Sequence, residues 1–361
     1  MKPYLPKQLP IKNIDWVKHI GLIGKANAEV ARFDGLLQSM QNPAVLLSPL
    51  TTQEAVLSSK IEGTKATLQE VLEFEADPKK QSEKYNDIQE ILNYRKAMAY
   101  AIKDIKKISL SNRLIKNMHS ILLNSVRGQN KDRGNFRNMQ VHIGKTNKVE
   151  DATYIPPTPN NIPDLMSNLE KYFHFDDRDS LVQLGIIHAQ FEIIHPFMDG
   201  NGRLGRILMP LFLYFKKTLS SPMFYLSSYF ESHREEYYKR LNNISKYNDW
   251  DNWLEYFLEA VVVQSKENVR KAKKIHILYD LKKEKIANLT HSQFSIKALD
   301  FIFSNPVFTS SHFKKSSKIP IRSAERILKK LENGKVLQVI EKGGGKKATT
   351  YAFSKLINIV G

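Results

Sequence analysis

The chain has 361 residues, 42% hydrophobic and 10% aromatic, enough to bury ordinary cores and too many for wholesale disorder. It contains no cysteine, which excludes disulfide scaffolds, zinc ribbons, iron–sulfur clusters and thiol catalysis. The net charge is +18, and residues 266–361 hold 21 Lys/Arg against 7 Asp/Glu, so most of the excess is terminal and suits nucleic acid or another polyanion.

In chain order, a Pro-rich arm leads into a helix over residues 21–40. A short helix follows over 51–60, with hydroxyl groups at its start and Gly63 just past its end. Helical spacing recurs over 68–74, 85–105 and 110–123. The pattern then changes. Residues 140–144 alternate like a strand, 145–151 form a polar turn, and 152–159 are extended because residues before proline are biased away from helix. Together they predict a β-hairpin. Helices resume over 161–175, 181–194, 206–219, 231–243 and 250–278. Beyond these, three short helices (294–304, 309–315, 321–331) and a strand–turn–strand (336–340, 349–353) describe a winged helix-turn-helix. The expected architecture is mainly α: a helical region over 1–105, a core with the hairpin over 106–278, and the winged domain over 285–361. No run approaches roughly 18 apolar residues and the first 16 lack a signal-peptide core, so the chain reads as soluble and cytoplasmic, with no membrane partner.

The most unusual segment runs from His195 to Arg206 (HPFMDGNGRLGR). Gly200, Asn201 and Gly202 let backbone N–H groups converge at the start of a helix, a ready anion site. Arg203 and Arg206, with Leu204 and Gly205 between them, project from one face of the first turn. Two cations at the positive end of a helix dipole want a polyanion, and a nucleoside triphosphate supplies one. Asp199 beside the turn is a candidate Mg2+ ligand. His195, with a near-neutral reference pKa, is a candidate general base. His188 has no metal-ligand spacing and reads as a packed core histidine. No GxxxxGK(S/T) occurs, so a Walker-type ATPase is excluded.

This segment closely resembles the Fic family signature HxFx(D/E)GNGRxxR, matching it at His195, Phe197, Asp199, Gly200, Asn201, Gly202, Arg203 and Arg206. The resemblance implies a Fic-type helical core with a β-hairpin flap. It also implies transfer of AMP from ATP, with Mg2+, to a Ser, Thr or Tyr hydroxyl of a target protein or of the chain itself. By the family's roles His195 deprotonates the hydroxyl, Asp199 holds the metal, residues 200–202 cradle phosphates and the two arginines bind the polyphosphate, with Leu204 and Gly205 between them counted among the nucleotide-binding residues. The flap, through Val141, His142, Ile143 and Tyr154, would pin an extended target segment by strand addition. Phosphate-transferring members carry Lys where this chain has Gly202, which argues against kinase chemistry. Phosphocholine transfer and removal of AMP stay compatible with the motif.

Ser58-Ser-Lys-Ile-Glu62-Gly63 matches the family's inhibitory motif (S/T)xxxE(G/N). Ser58 and Glu62 share a helix face, and the resemblance implies that Glu62 pairs with Arg206 where the γ-phosphate would bind. His233 stands before Arg234 where the family has Asn, and is carried over as a nucleotide contact. A reading from a different class is a DNA-binding regulator, based on Arg322, Arg326, Lys329 and Lys330 of the recognition helix and Lys346 and Lys347 of the wing. The same domain could instead make a homodimer.

Overall fold

The computed structural model describes residues 2–79, 82–124, 131–144, 146, 148–345 and 347–361. Helix α1 (Trp16–Ser39) is capped by the Asp15 carboxylate, which accepts from the Lys18 N–H. Helices α2 (Pro43–Leu46) and α3 (Ser48–Ile61) each carry proline in their first two positions, where the missing N–H has no intrahelical partner to lose. A capping box between Thr67 and Glu70 opens α4 (Leu68–Ala76). Helices α5 (Tyr85–Ile108) and α6 (Asn112–Leu122) follow. Strands β1 (Ile143–Gly144) and β2 (Ala152–Tyr154) form the antiparallel hairpin, with Ile143 opposite Tyr154.

The centre of the molecule is made by α7 (Ile162–His174), α8 (Ser180–Ile194), α9 (Asn201–Phe215), α10 (Ser227–Ser232), α11 (Arg234–Tyr247) and α12 (Trp250–Thr290). Helix α8 is apolar on every side, and all its residues except Ser180 and Glu192 are buried. It packs against α1, α7, α9, α11 and α12. His188 sits inside this packing, 2.8 Å from the Tyr237 hydroxyl and flanked by Phe230 and Trp253. Burial lowers its pKa to about 3, so it is the neutral core histidine expected.

The C-terminal part contains α13 (Ser295–Ser304), β3 (Val307–Thr309), α14 (Ser310–Ser316), α15 (Ile321–Asn333), β4 (Gln338–Glu341), β5 (Thr350–Ala352) and α16 (Ser354–Val360). The strands form one antiparallel sheet in the order β3-β5-β4. This unit leans on α12 and on the outer side of α2, α3 and α4.

Several boundaries differ from expectation. Helix α9 starts at Asn201 and not at Arg206, because Gly200 takes a left-handed φ of 79° and turns the chain directly into the helix. The helix expected over 231–243 is two, α10 and α11, broken at His233. The helix expected to stop at Leu278 continues to Thr290, burying Ile286 as well as Ile275 and Leu278. No glycine or proline interrupts that stretch. Strand β3 and helix α16 were not anticipated, being too short to display a period. Among the described residues no helix is long and apolar enough to cross a membrane.

Candidate active site

His195 closes α8 in a left-handed conformation, φ 48°. Its N–H still reaches the Phe191 carbonyl at 3.0 Å, and its Nδ1 lies 3.3 Å from the Glu192 carbonyl. A carbonyl only accepts, so Nδ1 carries the proton and Nε2 keeps the lone pair. Burial pushes the His195 pKa down to about 4; the Glu192 carbonyl opposes the shift, Arg137 adds to it, and Glu62 and Asp199 oppose it. The ring is therefore neutral at pH 7 with a basic Nε2, the state required of a general base.

The turn after His195 is braced by its own side chains. Asn201 accepts from the Phe197 N–H and donates to the Phe197 carbonyl, both at 2.9 Å. Phe197 is buried and stacks on His119 at 3.8 Å. The Gly134 N–H donates to His119 Nδ1, so His119 Nε2 is the donor to the Asp199 carbonyl at 3.0 Å. The Asp199 Oδ1 accepts from the Gly200 N–H at 2.6 Å, and its Oδ2 lies 3.5 Å from Lys131 Nζ. The N–H groups of Asn201, Gly202 and Arg203 have no partner among the described residues and open at the positive end of α9. The Asn201 amide is thus spent on Phe197, and only its backbone N–H is left to offer an anion. Leu204 and Gly205, grouped above with the nucleotide-binding residues, serve packing. Leu204 is wholly buried. A Cβ on Gly205 would collide with the Glu192 carboxyl and crowd the Phe191 ring.

Arg206 is 1% exposed and bonded through its Nε and one amino group. Its Nε donates to Ser58 Oγ at 2.8 Å, and its second amino group donates to the Ser58 carbonyl at 2.8 Å and to Glu62 Oε1 at 2.6 Å. Burial works against both charges of this pair, yet each holds the other ionised: Arg206 lies above its ordinary pKa and Glu62 below the usual carboxylate value. Gly63, at φ 96°, turns the chain just beyond Glu62. The Glu62 carboxylate rests over Gly202, so closely that a Cβ on Gly202 would run into it.

Arg203, expected on the polyphosphate, points elsewhere. It donates to Glu90 on α5 at 2.9 Å and lies 3.5 Å from Asp199 Oδ1. The Arg203 guanidinium is 3% exposed, and the Glu90 carboxylate balances its charge there. Tyr154, expected to face a target, turns inward and donates to the Ile193 carbonyl at 2.7 Å. Val141 and His142 are partly buried, while Ile143 is exposed on the hairpin. Lys145 and Asn147 of the intervening turn lie outside the described residues. His233 is exposed, stacks on Tyr229 at 4.2 Å, and has Nδ1 3.0 Å from Ser232 Oγ and the Tyr229 carbonyl. Its bonds are all local to the α10–α11 junction.

Sequence reasoning missed Glu90, His119, Arg137 and Glu192. Each lies outside the HPFMDGNGR run or, for Glu192, in the apolar helix before it, and no spacing rule ties them to it. Burial raises the Glu192 pKa to about 8, so its carboxyl is largely protonated at neutral pH beside Arg206. Among the described residues no group of three His, Asp or Glu side chains could cage a metal. One carboxylate oxygen beside an anion-receptive turn fits Mg2+, which keeps waters and shares phosphate oxygens of a substrate.

The frame and the turn define a mainly helical protein in which a neutral histidine and a helix N-terminus with unpaired N–H groups come together. Known proteins narrow the class. The family model "Fic/DOC family N-terminal" matches residues 20–103 and "Fic/DOC family" matches residues 109–213. The chain belongs to the Fic/DOC family. A probable protein adenylyltransferase of Aquifex aeolicus is 29% identical over 169 residues, 45% of this chain and 48% of that protein. Protein adenylyltransferase Fic of Drosophila melanogaster is 32% identical over 124 residues, 33% of this chain and 23% of that protein. The matched stretches thus span about half and about a quarter of these relatives. In fold, the chain is similar to a Fic family protein from Desulfovibrio desulfuricans, with TM-score 0.63, 19% identity, and coverage of 96% of this chain and 98% of that one.

Proposed function

We propose that the chain is a protein adenylyltransferase held inactive by its own Glu62. The observation that carries this reading is the α9 N-terminus, where unpaired N–H groups lie between a neutral histidine and an arginine clasped by a carboxylate. The target hydroxyl gives its proton to His195 Nε2 as its oxygen attacks the α-phosphorus of ATP. The bond from that phosphorus to the bridging oxygen breaks, and pyrophosphate leaves. The N–H groups of residues 201–203 and the Arg206 guanidinium receive the phosphate oxygens. Asp199 would hold Mg2+ together with the phosphates, and the ion would supply charge neutralisation there. The exposed edge at Ile143 offers an extended target segment a strand to pair with. Incubation of the Glu62→Gly chain and a cell lysate with α-labelled ATP, followed by mass spectrometry, tests the reading: AMP on hydroxyl side chains is expected, and label that never reaches protein would overturn it.

Arg206 has two roles that pull apart. Arg206→Ala removes the anchor of Glu62 and also a charged contact to the triphosphate. Loss of the phosphate contact should dominate, lowering AMP transfer by about tenfold or more. A variant faster than the parent would make Arg206 only a latch.

The terminal unit supports a second role. Arg322, Arg326 and Lys329 follow one another at i, i+4 and i+7 along α15, exposed and without an acidic partner among the described residues. Glu325 on the same helix is engaged by Lys314 at 3.0 Å. Lys330 instead donates to the Thr290 carbonyl at 3.4 Å, Lys347 pairs with Glu341, and Lys346 lies outside the described residues. Three free cations in line suit the phosphates of duplex DNA. Three phosphate contacts predict a slope of about −3 in log affinity against log salt, and charge-reversal of the stripe should abolish it. Salt-independent binding, or none, would remove DNA as a partner.

A further inference from the structure

Arg137 lies in the segment before the hairpin and is 2% exposed. Among the described residues it has no carboxylate partner; all its side-chain bonds go to backbone carbonyls. Its Nε donates to His195 at 2.9 Å, one amino group to Met139 at 3.0 Å and the other to Pro157 at 2.5 Å. Its own N–H donates to the Pro196 carbonyl at 2.9 Å. Met139 leads into β1 and Pro157 follows β2, so one guanidinium spans both feet of the hairpin and the backbone of the histidine. Burial lowers the Arg137 pKa to about 10, which still leaves it charged at neutral pH.

A buried cation without a counter-ion is an expensive strut. What it supplies is geometry: three donors in one rigid plane, which lysine cannot reproduce. His195 needs such support, since a left-handed φ is uncommon for a residue other than glycine and persists where surrounding bonds enforce it. Tyr154 adds a parallel tie from β2 to Ile193, two residues before the histidine. We propose that Arg137 is a positioning residue that locks the target-receiving hairpin to the backbone of the base, so that docking a target segment and aiming His195 are one event. This rests on the reading of His195 as base and of the hairpin as target edge.

The charge has its own consequence. His195 is faced by Glu62 from α3, by Asp199 from the following turn and by Arg137, with Glu192 on its own helix. The two carboxylates favour the protonated ring and Arg137 disfavours it. Replacing Arg137 by a neutral side chain should therefore raise the pH at which His195 loses its proton, toward the ordinary value of about 6.5.

The test uses the full chain in the Glu62→Gly background, with a His195→Ala copy of the chain as acceptor and α-labelled ATP. Arg137→Met should raise the acceptor KM and lower kcat, together at least about tenfold in kcat/KM, while ATP affinity stays within about twofold. The His195 ring titration followed by NMR should move up in Arg137→Met and stay in Arg137→Lys, although Arg137→Lys loses the three-way tie and part of the kcat/KM. Hydrogen exchange of residues 139–157 should quicken in both variants. ATP affinity falling in step with kcat/KM would reveal general collapse of the site and overturn the proposal, as would unchanged exchange and titration. The NMR and exchange readouts need no transfer activity. Continued labelling by Glu62→Gly/His195→Ala would refute the base reading instead, whatever Arg137 does. If Arg137→Met does not fold, Arg137→Lys with the exchange measurement decides.

Discussion

With α-labelled ATP and Mg2+, the Glu62→Gly chain should modify itself and added acceptors roughly 10- to 100-fold faster than the parent. The reason is competition for one cation. Arg206 is 1% exposed, is bonded to Ser58 and Glu62, and can satisfy either the Glu62 carboxylate or an oxygen of a bound triphosphate. Glu62 is tethered at the end of a helix whose Ser58 also bonds Arg206, so its effective concentration is high. A charge-assisted pair of this kind contributes about 1.5–3 kcal/mol, and each ~1.4 kcal/mol is tenfold in an equilibrium. Glu62→Asp should activate less, since the shorter arm weakens the pair without removing the charge. Ser58→Ala should activate less again, since it removes one hydroxyl acceptor and leaves the Ser58 carbonyl and Glu62 in place. Equal labelling by parent and Glu62→Gly would sink autoinhibition.

His195→Ala, placed in the Glu62→Gly background, should lose about 100-fold or more of its AMP transfer while ATP affinity is retained. Nothing in the geometry makes this ring a phosphate ligand. Its Nδ1 is held by the Glu192 carbonyl, its charge is suppressed by burial, and Nε2 is the group left for a hydroxyl proton. The N–H groups and Arg206 that would receive ATP are untouched by the substitution. The measurement is labelling rate beside ATP binding by calorimetry. A rate within about tenfold of the background variant would take the base role from His195, and lost ATP binding would assign it to the nucleotide instead.

Most of the helical frame and of the terminal unit was legible because an element that buries one face repeats with the period of its own backbone, whereas α8 showed as an apolar run and the hairpin as alternation followed by prolines. The helix boundaries were less so. At α9 a single left-handed glycine decided the start, and at α12 nothing in the sequence marked an end before Thr290. The candidate site was legible where it is contiguous: His195, Asp199, the Gly-Asn-Gly turn and Arg206 are adjacent along the chain, and their chemistry follows from residue type. Ser58 and Glu62 were found from a motif of their own, one helical turn long.

What each of these side chains does was decided in three dimensions. Arg203 and Arg206 are alike in sequence, yet one is drawn to Glu90, 113 residues away, and the other to Ser58, 148 residues away. His119 supports the Asp199 carbonyl across 80 residues, and Arg137 reaches His195 across 58. A residue's type and its helical neighbours are local quantities, written in the chain. Its counter-ion is not, because a buried charge takes whichever carboxylate or carbonyl the packing of other helices brings within hydrogen-bond distance.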